Sequence, residues 1–365
     1  MRTFEALGLF IGMIVGAGMF AMPYAVAQAG IPWSLFHFVL AAIIVTVVHL
    51  LYGKIILAHG ARDEHRLPGY MQEYFGFTGY AVTFTARLFS YFGYLLAYGV
   101  LGGLFLRHFF PNQNLVFLSG IFFIGAGLLT ALNLRRAGGV NFWLTVFLIF
   151  FILLLSGMLL PQFEVLPATV WQGSGDWFLP YGIFLFAFSG ASVVPEVIDM
   201  IGRREQRRFR SITLVTTIIV GFLYALFIAA ILGIGGEAVP QDALSILYGR
   251  LLVIGSLIGF LAIVTSYLTL GLELRFTFEY DFGSRPITAW LLVAMVPPAL
   301  FFVGINDFVE IISIVGALGI GIEGISIALL ARRVLSTRLA VVLGLSTLLL
   351  VGALLEIFGV IGFIA

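Results

Sequence analysis

Apolar residues follow one another along this chain in long stretches, which short polar or glycine- and proline-containing turns interrupt. A helix needs about 20 mainly apolar residues to cross the hydrocarbon core of a bilayer. Cutting the sequence at its charged, proline-rich and glycine-rich points leaves eleven such segments, which are 4–30, 32–59, 74–109, 114–133, 138–160, 176–201, 209–234, 246–279, 286–304, 308–331 and 337–361. The pattern predicts an all-α integral membrane protein with eleven transmembrane helices.

The composition supports a membrane location and excludes several kinds of partner. Hydrophobic residues make up 61% of the 365 positions and charged residues only 10%, whereas roughly 25% of an ordinary soluble domain is charged. The formal net charge of +1 provides no bulk positive field to hold nucleic acid. Because the chain has no cysteine and only five scattered histidines, disulfides and thiolate-bound metals are excluded. We expect contact with the lipid bilayer and with small molecules, and the oligomeric state stays open.

The positions of arginine and lysine predict how the chain enters the membrane. With the N-terminus in the cytoplasm, all but three of the 19 Lys and Arg residues fall at the cytoplasmic ends of the segments. The exceptions are Arg107 and Arg250 at outer ends and Arg87 in mid-span. Positive residues are enriched in cytoplasmic loops. We therefore expect a cytoplasmic (inner) membrane protein with its N-terminus in the cytoplasm and its C-terminus outside.

Two segments are interrupted in the same way, which indicates an internal repeat. Gly18 precedes Pro23 by five positions, Gly190 precedes Pro195 by five, and the two pairs are 172 positions apart. The same offset moves segments two to five onto segments seven to ten. Since five is odd, the two copies cross the membrane in opposite senses. The chain is thereby divided into a first five-helix repeat, a second inverted repeat and an extra helix, at 1–160, 176–332 and 337–361.

An inverted repeat with a broken helix leading each half is typical of secondary transporters that bind their substrate near the bilayer midplane. The alternative explanation, close packing through glycine, fits a single interruption, because small residues are common where membrane helices touch. Two matched interruptions at corresponding positions favour a transporter.

The motifs at these interruptions resemble those of a known family. The stretch from Gly16 to Ala25 resembles the first-helix signature of the amino acid/auxin permease family, and Phe186 to Glu196 resembles its sixth-helix signature. Thr265 to Glu273 is similar to the eighth helix of its bacterial branch, the hydroxy and aromatic amino acid permeases. The resemblance implies a LeuT-type fold and secondary transport of amino acids.

The chemistry of the two breaks agrees with that implication. Unwinding at Gly16–Gly18 frees N–H groups at the start of a half-helix, where they attract a carboxylate. Unwinding at Phe188–Gly190 frees carbonyls suited to an ammonium group, and a zwitterionic amino acid satisfies both. The expected substrate is a neutral or aromatic amino acid, with Tyr94 as an alternative to Tyr91 in its side-chain pocket. The candidate substrate-binding residues are Gly16, Ala17, Gly18, Phe20, Tyr91, Phe186, Phe188, Ser189 and Gly190.

Two coupling ions, Na+ and H+, remain as alternatives, and no other cofactor is expected. In the LeuT-type fold a sodium ion lies between helix 1 and helix 8, and the matching positions here are Gly12, Val15, Ala262, Thr265 and Ser266. Threonine and serine hydroxyls, however, often bond to carbonyls of their own helix. The bacterial branch is regarded as proton-driven, and Glu323 is the most deeply placed acid and a candidate proton carrier.

Other charges near the predicted spans have structural or gating interpretations. Arg87, the only mid-span base, needs an acid to neutralise it, because an unpaired charge in the bilayer is costly. Glu356 is expected at the outer interface. The resemblance also implies a cytoplasmic gate between Arg2 and either Glu279 or Asp281.

Alternatives from other classes are weaker. A same-fold carrier of a divalent metal or a nucleobase is conceivable, but neither break contains an acid or an amide. A membrane-embedded enzyme needs clustered catalytic groups, and the short run 62–65 has the character of a solvated loop. A channel needs a continuous polar pore. The sequence therefore favours a transporter without enzymatic activity.

Overall fold

The computed structural model describes residues 2–59, 66–131, 137–162, 166–202, 204–280 and 282–364, and these residues form helices and turns without a β-strand. The α-helices are α1 (Arg2–Ile14), α2 (Met22–Ala29), α3 (Ile31–His59), α4 (Leu67–Phe109), α5 (Leu115–Leu129), α6 (Ala137–Leu159), α7 (Ala168–Gln172), α8 (Pro180–Phe188), α9 (Val194–Ile201), α10 (Gln206–Gly235), α11 (Gly249–Tyr280), α12 (Pro286–Phe302), α13 (Phe308–Ile314), α14 (Gly321–Val334) and α15 (Leu339–Ile364). A π-helical turn, Val315–Ile320, joins α13 to α14.

The long apolar helices establish an integral membrane protein. Within the described ranges, seven stretches are long and apolar enough to cross a bilayer, and a bent helix pair at the start of the chain forms an eighth. Three shorter apolar helices, two of them α5 and α12, fall below span length. Large apolar side chains such as Ile218 and Phe222 are exposed on the outside of the bundle, where lipid tails cover them. The count of eleven spans stays a prediction.

Both predicted helix breaks occur, and they are built alike. The first helix ends at Ile14, Gly16 is extended with φ −146° and ψ −151°, and a 3₁₀ turn over Ala17–Ala21 leads into α2. The second ends at Phe188, and Ser189 is extended with ψ 139°. A 3₁₀ turn over Ala191–Val193 then leads into α9. Proline lies in the first turn of α2 and of α9, where its missing N–H costs no hydrogen bond.

The π-helical turn allows the segment α13–α14 to lie directly against α8. Gly316 in this turn contacts the Gly182 carbonyl of α8, and Gly182 in turn contacts the Ser313 carbonyl of α13. Only glycine fits at such positions, because a Cβ would overlap the backbone of the facing helix. The half-helix that precedes the second break is thereby fixed against α13.

Glu356, which is expected at the outer interface, is buried among neighbouring helices. The carboxylate-bearing face of α15 packs inward, and Glu356 is only 7% exposed. It bonds with Ser313 of α13, while Gly352, one turn earlier, contacts Tyr181 of α8. The last helix therefore packs against the same two elements that position the second break.

The contact between α8 and α13 gives a stability prediction. Gly182→Ala places a Cβ on the Ser313 carbonyl, and we expect the free energy of unfolding to fall by about 1–3 kcal/mol, as overpacking usually costs. Thermal unfolding of the purified protein in detergent measures this. Gly344→Ala in α15 is the control, because no heavy atom lies within 4 Å of its added Cβ. Equal melting temperatures for the two variants would contradict the close contact.

Candidate functional site

A cavity lies between the two breaks, and residues of both breaks line it. Its wall is formed by both breaks together with α4, the π-helical turn and the first turn of α14. Backbone from Gly16 and Ser189 faces the cavity, as do side chains of α4. At one end the cavity reaches Leu67 and Pro68, where α4 begins.

The glycines of the two breaks have different roles. A Cβ on Gly18 would lie 2.9 Å from the Cα of Ala187, and a Cβ on Gly190 would lie 2.7 Å from Cγ1 of Ile14. Each glycine thus packs against the other broken helix on the side where a Cβ would lie, while both still line the cavity. Gly16 is different, since its Cβ would meet only the Ile14 carbonyl, at 4.0 Å. At Gly16, which lines the cavity, the space at the Cβ position is therefore open.

A tyrosine that the sequence analysis missed bonds to the carbonyls freed by both breaks. The Tyr224 hydroxyl of α10 lies 2.7 Å from the Ile14 carbonyl and 2.9 Å from the Ala187 carbonyl, and its side chain is fully buried. A carbonyl at this depth without a partner would be costly. The signal that was available is the offset of 172, which relates Tyr224 to Tyr52.

The predicted aromatic residues are divided between the cavity and the packed core. Phe186 and Tyr91 line the cavity, as does Tyr94, whose ring lies 5.1 Å from that of Phe186. The Tyr94 hydroxyl also bonds with Ser189 at the second break. The cavity wall is therefore aromatic beside the second break.

Phe20 and Phe188 do not line the cavity, contrary to expectation. Phe20 packs edge-on against Phe105, with ring centroids 5.1 Å apart, and Phe188 packs against Phe38 at the same distance. Both rings project from faces of their helices that turn away from the cavity, where aromatic neighbours bury them.

Two charged side chains of the α4 region, Arg66 and Arg87, form ion pairs near the cavity. The mid-span Arg87 is neutralised by Glu273 of α11, with Nη2 and Oε1 2.5 Å apart. The Tyr91 hydroxyl donates to the same carboxylate oxygen at 2.7 Å. A second ion pair, Arg66 with Glu196 at 2.6 Å, joins the start of α4 to α9. Of these four charged residues, Arg87 lines the cavity, and Glu273, Arg66 and Glu196 are not among its lining residues.

Among the described residues, no hydrogen bond joins the predicted sodium ligands of α11 to those at the end of α1. The Thr265 hydroxyl donates to the Ala262 carbonyl of its own helix at 2.9 Å. Among the described residues, the Ser266 side chain makes no hydrogen bond. No hydrogen bond links α11 to Gly12 or Val15 in the same part of the chain. The same part of the chain contains no group of three His, Cys, Asp or Glu residues arranged to hold a metal ion.

The predicted cytoplasmic gate is tested only in part. Glu279 is paired with Arg275 of the same helix at 2.6 Å, and Arg275 also donates to the Thr130 carbonyl at the end of α5. The Arg2 side chain and Asp281 lie outside the described residues. Glu279 therefore has a local partner, and the gate stays a prediction.

Comparison with known proteins gives one family and one fold. Residues 2–280 match the family described as transmembrane amino acid transporter protein. A Danio rerio protein assigned as sodium-coupled neutral amino acid transporter 11 is 28% identical over 96 residues, which are 26% of this chain and 20% of that protein. The matched part is thus one fifth of the relative's length.

Several solved structures are similar over nearly the whole chain. MhsT in complex with L-phenylalanine is 14% identical with a TM-score of 0.68, covering 98% of this chain and 97% of that one. A mutant manganese transporter of Eremococcus coleocola is 14% identical with a TM-score of 0.65, covering 98% and 87%. Mhp1 in its inward facing conformation is 16% identical with a TM-score of 0.65, covering 91% and 77%. These likenesses establish the LeuT-type fold.

The bonding of Tyr224 gives a prediction at the breaks. Tyr224→Phe leaves the carbonyls of Ile14 and Ala187 without their shared donor, and we expect a loss of about 1–3 kcal/mol in the free energy of unfolding. Thermal unfolding in detergent measures it. Tyr248→Phe is the matched control, because Tyr248 is 84% exposed. If both variants unfold at the wild-type temperature, the hydroxyl does not hold the breaks.

Proposed function

Because the chain belongs to the transmembrane amino acid transporter family, we propose that it imports a neutral or aromatic amino acid by cation-coupled alternating access. The observation that carries the proposal is the cavity between the two breaks, where backbone donors and acceptors of both broken helices converge. A transporter on this fold needs no bond-making chemistry, so no enzymatic activity is proposed.

The two breaks supply opposite ends of a zwitterion site. The first hydrogen bond of the 3₁₀ turn runs from the Met19 N–H to the Gly16 carbonyl, so the N–H groups of Ala17 and Gly18 precede it and stay available for a carboxylate. On the other side α8 ends at Phe188, and its carbonyl end attracts an ammonium group. A substrate's side chain then lies against Tyr94 and Phe186, which favours an aromatic or other apolar group.

The cavity suggests a state open toward one side of the membrane. It extends from the breaks to Leu67 at the end of the bundle where α4 begins, and the Arg66–Glu196 pair there is half exposed. On the other side of the break Phe20 is fully buried between aromatic neighbours. With the N-terminus in the cytoplasm, as the distribution of positive residues favours, this is an inward-open state.

Protons are the proposed coupling ion. Glu323 lines the cavity, and its carboxyl group makes no hydrogen bond or ion pair with any described residue. A carboxyl group in this position can exchange a proton with cavity water. Sodium is the second candidate, supported by the name of the Danio rerio relative and by the hydroxyls of Thr265 and Ser266.

Replacing the cavity acid tests the coupling ion. Glu323→Gln should abolish accumulation driven by a proton gradient in proteoliposomes while counterflow of labelled amino acid continues, because exchange requires no net proton release. Glu310→Gln, an exposed acid of α13, is the control. Uptake that instead requires a sodium gradient, is weakened by Thr265→Ala and is unaffected by Glu323→Gln would assign coupling to sodium.

Substitutions at Gly16 and Gly18 test substrate binding and folding stability separately. Gly16→Ala fills cavity space beside the free N–H groups, so amino acid affinity should fall about tenfold or more with little change in melting temperature. Gly18→Ala strikes the Ala187 backbone and should lower the melting temperature. Equilibrium binding of labelled amino acid and thermal unfolding measure both. Wild-type affinity in Gly16→Ala would place the substrate elsewhere.

A further inference from the structure

Arg87 has no role in the zwitterion site, yet it is held in an unusual arrangement. Its Nη2 donates to Glu273 and, at 2.7 Å, to the Tyr91 hydroxyl, which itself donates to Glu273. Its guanidinium carbon lies 5.1 Å above the Tyr91 ring. All three polar groups thus meet through one arginine nitrogen and one carboxylate oxygen.

The remainder of the guanidinium is uncommitted. Among the described residues, Nε and Nη1 of Arg87 make no hydrogen bond, and the side chain keeps 21% of its surface exposed in mid-span. Glu323 of α14 lines the same cavity and interacts electrostatically with both Arg87 and Glu273. Arg87 therefore interacts electrostatically with two acids, Glu273 and Glu323. Among the described residues it forms an ion pair with Glu273 and not with Glu323.

We propose that Arg87 is a switchable counter-charge, which pairs with Glu273 while Glu323 carries a proton and turns to Glu323 once that proton has left. The proton enters the Glu323 carboxyl from water on one side of the membrane and leaves to water on the other, while arginine stays charged throughout. Since Glu273 lies on α11 and Glu323 on α14, the change of partner alters which helix is bonded to α4. This inference rests on proton coupling through Glu323, as proposed above.

The charge count explains why such a switch is needed. With Glu323 protonated, Arg87 and Glu273 neutralise each other, as a buried pair requires. When Glu323 loses its proton, three charged groups share the site, and within the described part of the chain Arg87 is the cation that interacts with the new carboxylate. Among the described residues, the remaining titratable groups that face this site are Tyr91 and Tyr94 of α4 and Tyr52 of α3, with the Arg66–Glu196 pair farther off.

The switch predicts that substitutions of Arg87 and of Glu273 have opposite effects on the pH at which Glu323 is protonated. In Glu273→Gln, Arg87 has only Glu323 as a charged partner, which favours the ionised carboxylate, so a lower pH is required to protonate it. In Arg87→Gln, the unneutralised Glu273 disfavours a second carboxylate, so Glu323 holds its proton to higher pH. An ion pair without electrostatic coupling to Glu323 gives no such opposition, because removing either partner then leaves the proton affinity of Glu323 unchanged.

The experiment compares the single variants with Arg87→Gln/Glu273→Gln. Proton-driven uptake is measured against pH in proteoliposomes and normalised to each variant's own maximum. Labelling of Glu323 by a hydrophobic carbodiimide, which reacts with protonated carboxyl groups, is followed against pH by mass spectrometry. This second readout does not require transport, so a variant with impaired activity still tests the switch.

We expect the midpoint pH of both readouts to fall by about one unit in Glu273→Gln and to rise by about one unit in Arg87→Gln. The double variant should return close to the wild type. Proton-driven wild-type uptake with midpoints that shift together, or not at all, would overturn the switch alone. Wild-type uptake that is indifferent to the proton gradient and to Glu323→Gln would overturn the coupling proposal, and the switch with it.

Discussion

The backbone groups freed by two broken helices at membrane depth are the constraint on which the rest of the structure depends. Each unsatisfied N–H or C=O in this environment costs several kcal/mol, so every feature around the breaks can be understood as supplying a partner or excluding lipid. The Tyr224 hydroxyl bonds to the carbonyls of Ile14 and Ala187, one from each broken helix. Gly18 and Gly190 bring the broken helices into contact, and the groups still unused face the cavity.

The surrounding helices follow from that requirement. The π-helical turn and the paired glycines hold α8 against α13, and α15 packs over both. The buried Glu356 and its partner Ser313 lie in this outer layer. Such packing fixes the second break without filling the space in front of it. Arg87, which lines the cavity, is a separate feature, because its side chain pairs with Glu273 and not with the backbone of the breaks.

Features with a sequence period or a matched motif were predictable. The two Gly-to-Pro intervals, equal in length and 172 positions apart, located both breaks, and apolar length located the helices. Side-chain direction was less accessible, because a run such as Phe184–Phe188 is apolar on every face. Sequence alone therefore could not place Phe186 in the cavity and Phe188 in the core. The role of Tyr224 was also hidden, since the offset of 172 relates it to Tyr52 but does not indicate that its hydroxyl bonds to the breaks.

The central claim is that backbone at the two breaks binds the α-carboxylate and the α-ammonium group of an amino acid. Competition binding with L-phenylalanine, its methyl ester and its N-acetyl derivative tests it most directly, since all three share one side chain. The account predicts that either blocked compound competes about 100-fold more weakly, equivalent to roughly 2.7 kcal/mol. Competition by the ester and by the acetylated compound that is as strong as competition by L-phenylalanine would show that binding depends on the side chain alone, and would contradict the assignment of the breaks as the site.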